Sequence, residues 1–287
     1  MFMKLKLTQR IAINYYKAKI KAISILSRKK AAEKAFEIFC TPFSGKPKRK
    51  EPPIFHHAEK IFCTVENKKL TGWQWIPKNN NGKKILIAHG FDSCSYKFDN
   101  YIQPLTQQGY TVIAFDAPAH GLSEGKTINA LQYKNAIIEI DKQFGNIYCI
   151  IAHSLGALAA SLAAEKMPLL QKIIFIAPAT ETQRAIDNFF KFVPLGNEVK
   201  ADIEQLITSF ENKPLSYYSV SSSIKQIHIP VLWIHDTRDW ICPIEDVKPV
   251  QELNLSNVQF YFTEGYGHNK IYRTEKVMNA VEEFINH

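Results

Sequence analysis

From about residue 60 the chain alternates short apolar runs with longer stretches of helical periodicity. Ile85–Ala88, Thr111–Phe115, Ile147–Ala152, Lys172–Ile176, Val231–Ile234 and Val258–Phe262 are near-continuous runs rich in Val, Ile and Phe. Such runs predict parallel strands covered on both faces. Helical text separates them around Phe98–Gln108, Ile128–Phe144, Leu155–Lys166, Glu245–Leu253 and Ile271–Phe284. Ile61–Val65 and Trp73–Ile76 flank a polar Asn67-Lys68-Lys69 turn and predict a hairpin. Strand–helix alternation at this spacing predicts an α/β fold with a doubly wound, mostly parallel sheet. Ligands of such sheets bind beyond the carboxyl ends of the strands.

Two segments depart from this rhythm. Residues 181–228 lie between two strands but are too long for one crossover helix. They hold helix-like text (Thr182–Phe192 and Glu198–Phe210) and the aromatics Phe189, Phe190, Phe192, Phe210, Tyr217 and Tyr218. A helical cap over the strand ends is expected, most of the aromatics building its own core. Near the N-terminus, Ile13, Tyr16, Ile20 and Ile23 share one helical face, while Lys17, Lys21 and Arg28 share another. A helix packed on the body is the plainer reading, and a helix lying on anionic lipid is the alternative. Thr41-Pro42-Phe43-Ser44-Gly45-Lys46-Pro47, Lys48-Arg49-Lys50 and Pro52-Pro53 read as a linker. The expected organisation is a basic helical extension over 1–52, a core from 53–180 and 229–287, and a cap over 181–228.

Charge sharpens this division. Residues 1–50 carry 14 basic side chains and two acidic ones, so +12; the chain as a whole is +9, which leaves −3 for the remainder. A slightly acidic body argues against a nucleic-acid partner. The five cysteines are odd in number, widely spaced and without a C-x-x-C pair, which argues against a disulfide framework and a zinc site. Reduced thiols fit a cytoplasmic protein, and the basic helix allows a peripheral place on the inner membrane surface. No apolar run approaches the ~18–20 residues that cross a bilayer, and lysines interrupt every stretch that would serve as a secretory signal.

The chemistry gathers at predicted strand ends. Ala152-His153-Ser154-Leu155-Gly156 joins an apolar run to a helix of small residues. A serine on such a turn is lifted over the sheet, and the helix N-terminus aims free N–H groups at the same space. The pattern matches G-x-S-x-G with alanine in place of the first glycine.

His89-Gly90-Phe91-Asp92 and Asp116-Ala117-Pro118-Ala119-His120-Gly121-Leu122-Ser123 follow the first two core strands, and Asp236-Thr237-Arg238-Asp239-Trp240 and Gly265-Tyr266-Gly267-His268 follow the last two. With these landmarks the sequence, from about Lys83 to His287, resembles the α/β-hydrolase fold family. The second departs from the family's D-x-x-G-x-G-x-S turn at Ala119. The resemblance implies Ser154 as nucleophile, His268 as base and Asp239 as its carboxylate partner, with Asp236 the alternative acid. It also implies an oxyanion hole from the backbone N–H groups of Phe91 and Leu155. Asp92, Ser93 and Trp240 are expected at the substrate pocket. His89, His120 and His153 read as scaffold, and Cys94 and Cys242 as packing.

The expected reaction is hydrolysis of a carboxylic ester or thioester through an acyl-enzyme, with no metal and no cofactor. An aromatic cap favours an apolar acyl or alcohol group on a small-molecule substrate. Two rivals stand beside it: a non-catalytic binding protein of the same fold, and a membrane-surface hydrolase of the lysophospholipid type. Oligomeric state is not readable from the sequence.

Overall fold

A computed structural model describes residues 7–43 and 50–287. Its strands are β1 (Glu59–Val65), β2 (Lys68–Trp75), β3 (Lys84–Ala88), β4 (Thr111–Phe115), β5 (Ile147–His153), β6 (Lys172–Ile176), β7 (Val231–Asp236) and β8 (Val258–Thr263). Its longer helices are α1 (Leu7–Leu26), α2 (Arg28–Phe39), α3 (Asp99–Gln107), α4 (Ala130–Phe144), α5 (Leu155–Ala163), α6 (Thr182–Phe192), α7 (Asn197–Ser209) and α8 (Glu275–Asn286). Two compact units separate: residues up to Thr41 with Glu181–Tyr217, and Pro42–Thr180 with Tyr218–His287.

The larger unit is one eight-stranded sheet in the order β1-β2-β4-β3-β5-β6-β7-β8. β1 and β2 form an antiparallel hairpin, and β2 pairs antiparallel with β4. All other pairings are parallel. The burial of each strand follows its text. β4 and β7 are buried at every position, as continuous apolar runs require, whereas β1 alternates exposed and buried residues. Helix α5 is buried along almost its whole length, from Gly156 to Ala163, because alanines let it lie close to the sheet.

Three local expectations shift. The hairpin turn is Glu66-Asn67, not Asn67-Lys68-Lys69: both residues have positive φ (49° and 60°), the geometry of a two-residue hairpin turn, and both lysines join β2. The helix expected over Glu245–Leu253 is two short turns, Ile244–Asp246 and Lys248–Gln251, because Pro249 brings no N–H and starts a new turn. Ile271–Arg273 is a separate turn, since Thr274 is extended (φ −90°, ψ 140°) and α8 begins after it.

In the smaller unit the N-terminal helices and the 181–217 insertion share one core. Ile20 of α1 and Ala31, Ala32, Ala35 and Ile38 of α2 are buried, as are Val199, Ile203 and Ile207 at helical spacing on α7. Lys17, Lys19 and Lys21 stay exposed. Phe36 meets Phe210 and Phe39 meets Phe189, each with ring centroids 5.5 Å apart. The Arg28 guanidinium donates to both oxygens of Asp202 at 3.1 and 3.0 Å. That pair is solvent-screened, so the apolar contacts dominate the union of α2 with α7. In the expected linker, Ser44-Gly45-Lys46-Pro47-Lys48-Arg49 lie outside the described residues. Among the described residues no helix is long and apolar enough to cross a membrane.

Replacing Phe36 and Phe39 together by alanine removes the partners of Phe210 and Phe189. Limited trypsin digestion should then cleave within 181–217 at least tenfold faster than in the wild type. Equal rates would show that α2 does not hold the insertion.

Candidate active site

Strand β5 ends at His153 and α5 begins at Leu155, so the whole reversal falls on Ser154, at φ 53° and ψ −118°. A non-glycine residue there carries strain on the order of 1–2 kcal/mol. Backbone hydrogen bonds hold it. The Ser154 N–H donates to the Ile176 carbonyl at 3.2 Å, and the Ser154 carbonyl accepts from Ala157, Leu158 and Ala179 at 3.0, 3.2 and 3.2 Å. The turn is open only to small neighbours. A Cβ on Gly156 would lie 2.4 Å from the Ala88 carbonyl oxygen, and one on Gly90 would lie 3.0 Å from Ser154 Cβ. Ala152 is fully buried, so the alanine in place of the first glycine of the motif is accommodated.

Three side chains meet above this turn. Ser154 Oγ lies 3.0 Å from His268 Nε2, and His268 Nδ1 lies 2.7 Å from Asp239 Oδ2. All three residues are buried. The other carboxylate oxygen of Asp239 accepts the N–H groups of Ile241 and Cys242, both at 2.9 Å, which fixes the carboxylate plane toward the imidazole. A carboxylate held this way makes Nδ1 the protonated nitrogen and leaves Nε2 free to accept the serine proton.

The two acid candidates thus have different surroundings. Asp236, the last residue of β7, accepts from Thr263 Oγ1 at 2.8 Å and from the N–H groups of Arg238, Gly265 and Tyr266 at 3.0, 3.2 and 3.0 Å. Burial pushes its acidity down, but these donors outweigh it and hold its pKa below the ordinary carboxylate value. Asp236 therefore ties the acid loop to the loop that carries His268. His235 Nε2 lies 3.9 Å from Asp239 and 2.7 Å from the Cys242 carbonyl. Burial lowers its pKa, so it is a neutral donor to Cys242 rather than an ionic partner of Asp239.

Buried histidines also frame the loop after β3. His89 Nδ1 faces the Gly90 carbonyl at 2.8 Å, and its Nε2 accepts the Ala117 N–H at 3.0 Å. His120 Nδ1 faces the Pro118 carbonyl at 3.0 Å, and its Nε2 accepts the Asp92 N–H at 2.9 Å. Each ring therefore carries its proton on Nδ1 and is neutral. Burial lowers both pKa values from 6.5 to about 4. Asp116 accepts from the N–H groups of Ser95 and Leu122 at 2.8 and 2.9 Å, joining the same loop to the turn after β4. Ala119, where the landmark pattern has glycine, takes φ 65° and keeps the left-handed turn.

A cavity of 460 Å³ opens onto Ser154 and His268. Phe91, Asp92 and Ser93 line it, and Leu155 follows the serine with a first-turn N–H that has no intrahelical partner. Trp240 does not line it. That side chain is 63% exposed, and the next residue, Ile241, takes the place on the wall because its N–H is bound by Asp239. Lys97, His153, Asn269 and Tyr272 complete the lining. Lys97 and Tyr272 were not singled out by any motif, since they lie in short irregular turns; Asn269 follows His268 directly, the one signal that pointed to it. Among the described residues no group of three His, Cys, Asp or Glu side chains could hold a metal ion.

Residues 79–209 match the family model described as serine aminopeptidase, S33. An acyl transferase of Photobacterium leiognathi is 26% identical in an alignment of 242 residues that covers 76% of this chain and 75% of that one. An esterase of Pyrococcus furiosus superposes with a TM-score of 0.63 at 23% identity, covering 84% of this chain and 98% of its own. The thioesterase domain from the curacin biosynthetic pathway superposes with a TM-score of 0.57 at 18% identity, covering 80% and 99%. These structural likenesses are likenesses of fold.

The neutral histidines give the unfolding equilibrium a definite sign. In the unfolded chain an imidazole titrates near 6.5, while His89 and His120 titrate near 4 when folded, and His153 and His235 are also lowered. Between those values the unfolded chain binds protons that the folded one refuses. Stability is therefore complete above about pH 6.5 and falls as pH drops toward about 4; His89 and His120 together take up about two protons on unfolding near pH 5, and His153 and His235 add in the same direction. Urea titrations across this range measure the slope. Stability that does not change between pH 7 and 5 would contradict the assignment of neutral rings.

Proposed function

We propose that this chain, which has the α/β-hydrolase fold, is a serine hydrolase that cleaves a carboxylic ester or thioester through an acyl-enzyme on Ser154. The observation that carries this reading is the unbroken line Ser154 Oγ–His268 Nε2 (3.0 Å) and His268 Nδ1–Asp239 Oδ2 (2.7 Å) at the floor of a cavity.

The chemistry follows from that line. Ser154 Oγ attacks the scissile carbonyl carbon while its proton passes to His268 Nε2. Asp239 holds the imidazolium in place without taking its proton. The carbonyl oxygen becomes an oxyanion, and the N–H groups of Phe91 and Leu155 donate to it; losing one such donor typically costs about 3–4 kcal/mol of barrier stabilisation. The tetrahedral intermediate collapses, His268 returns the proton to the leaving oxygen or sulfur, and the acyl group stays on Ser154. Water, deprotonated by His268, repeats the sequence and releases the acid. Every step uses side chains and backbone of this protein.

One further reading shares the same intermediate. The acyl transferase relatives span three-quarters of the chain. An acceptor alcohol or thiol in place of water would turn the acyl-enzyme toward transfer. The identity of the released product when an alcohol is added separates the two routes.

The place of action in this proposal is the cytoplasm, where five free and buried thiols stay reduced. In this proposal the 181–217 insertion, which follows β6 in the chain, is the cap. Ile25 and Leu26 are highly exposed at the corner between α1 and α2, beside Lys21, Lys29 and Lys30, and would be the groups to meet an anionic membrane surface.

A fluorophosphonate probe should label the wild type on Ser154 alone, and Ser154→Ala should abolish labelling. Asp239→Asn should lower kcat on short 4-nitrophenyl esters by about 10³–10⁴-fold while the fold is kept. Labelling that persists in Ser154→Ala would overturn the proposal.

A further inference from the structure

Two charged side chains line the cavity beside Ser154, Asp92 and Lys97, and they are not equivalent. Asp92 already has a partner of its own. Lys97, half-buried in the turn Ser95–Phe98, has none: among the described residues no carboxylate lies within ion-pairing distance of its ammonium group.

The groups around Lys97 are also uncommitted. Ser93 Oγ and His153 Nδ1 are buried and make no hydrogen bond, and both residues line the same cavity. Asn269 is also part of the cavity wall. The charge of Lys97 reaches inward: beyond the main effect of burial, it further disfavours protonation of His89 and His153. A hydroxyl, an amide and an unpaired cation in the wall of one cavity are donors awaiting acceptors. A substrate amine would need the opposite arrangement, a free carboxylate.

Resting on the hydrolase reading of Ser154, we propose that this wall recognises an anionic group on the substrate, and that Lys97 is its specificity-determining residue. The anion is a carboxylate or phosphate within a few bonds of the scissile carbonyl, on either the acyl or the alcohol side. Ser93 and Asn269 supply the accompanying hydrogen bonds. An ester that is apolar throughout leaves the cation and the buried hydroxyl unmatched, and so is the poorer substrate.

Matched pairs of esters test this. For the acyl side, 4-nitrophenyl hydrogen glutarate is compared with 4-nitrophenyl pentanoate; for the alcohol side, butyrylglycolate is compared with ethyl butyrate. The expected result is that kcat/KM favours the anionic member of at least one pair by about tenfold or more. Lys97→Gln should abolish that ratio, and Lys97→Arg should keep most of it. The pair that shows the preference identifies the side that carries the charge. A ratio near one in the wild type, or one that survives Lys97→Gln, overturns the proposal. Calorimetric titration of Ser154→Ala with monomethyl glutarate and with methyl pentanoate gives a readout that needs no turnover. If the wild type hydrolyses none of these esters yet Ser154→Ala binds the anionic ligand at least tenfold more tightly in a Lys97-dependent way, the anion site stands and the hydrolase reading falls. The same titration is made with butyrylglycolate and ethyl butyrate, and equal binding within both pairs sinks the anion site whatever the turnover.

Discussion

Ser154 stands in a backbone conformation that L-amino acids avoid, and the carboxyl end of the sheet is arranged so that it stays there. The close approach of α5 to the end of β3, possible only because residue 156 is glycine, is the constraint beneath the site. It lets the helix begin one residue after the strand ends and turns the hydroxyl out over the sheet. The strain of that turn is small beside the packing that enforces it: β5 and α5 are buried along nearly their whole lengths and cannot move to relax one residue. The hydrogen bonds to His268 and Asp239 then add direction to a group already placed.

A second layer of buried polar groups keeps the loops in register. Asp236 collects donors from its own loop and from the loop that bears His268, so Asp239 and His268 are held at a fixed separation. His89 and His120 do the same for the loop after β3, each accepting a backbone N–H through Nε2. These roles require uncharged imidazoles, and burial supplies them. Under the proposed mechanism the protein uses histidine in two ways: as a proton carrier where the ring faces a serine and a carboxylate, and as a rigid bridge where it faces only backbone.

Much of this was legible in the sequence, for identifiable reasons. The parallel strands announce themselves because covering both faces demands apolar residues at every position, as in Thr111–Phe115 and Lys172–Ile176. Ser154 is readable from the strand-to-helix turn with its small neighbours, whereas His268 is readable only through the resemblance that Gly265-Tyr266-Gly267-His268 carries. Asp236 and Asp239 were harder to separate. Both follow the same strand, and only the three-dimensional path shows which carboxylate turns to His268 and which turns to backbone donors. Trp240 was expected at the pocket, but the register of the acid loop puts Ile241 there instead. Lys97 and Tyr272 carried no signal, since irregular turns have no period. The pairing of Arg28 with Asp202 joins residues 174 positions apart, and an amphipathic pattern says that a face is covered without saying by what.

The central claim is that a hydroxyl, an imidazole and a carboxylate in line produce a covalent acyl-enzyme. Rapid mixing of the protein with excess 4-nitrophenyl acetate, quenched within the first turnover and analysed by intact and peptide mass, tests it most directly. The account predicts one acetyl group per molecule, on the peptide containing Ser154, formed in a burst that matches the nitrophenol released. Nitrophenol released with no adduct at any quench time, or an acetyl group carried on another residue, would contradict it.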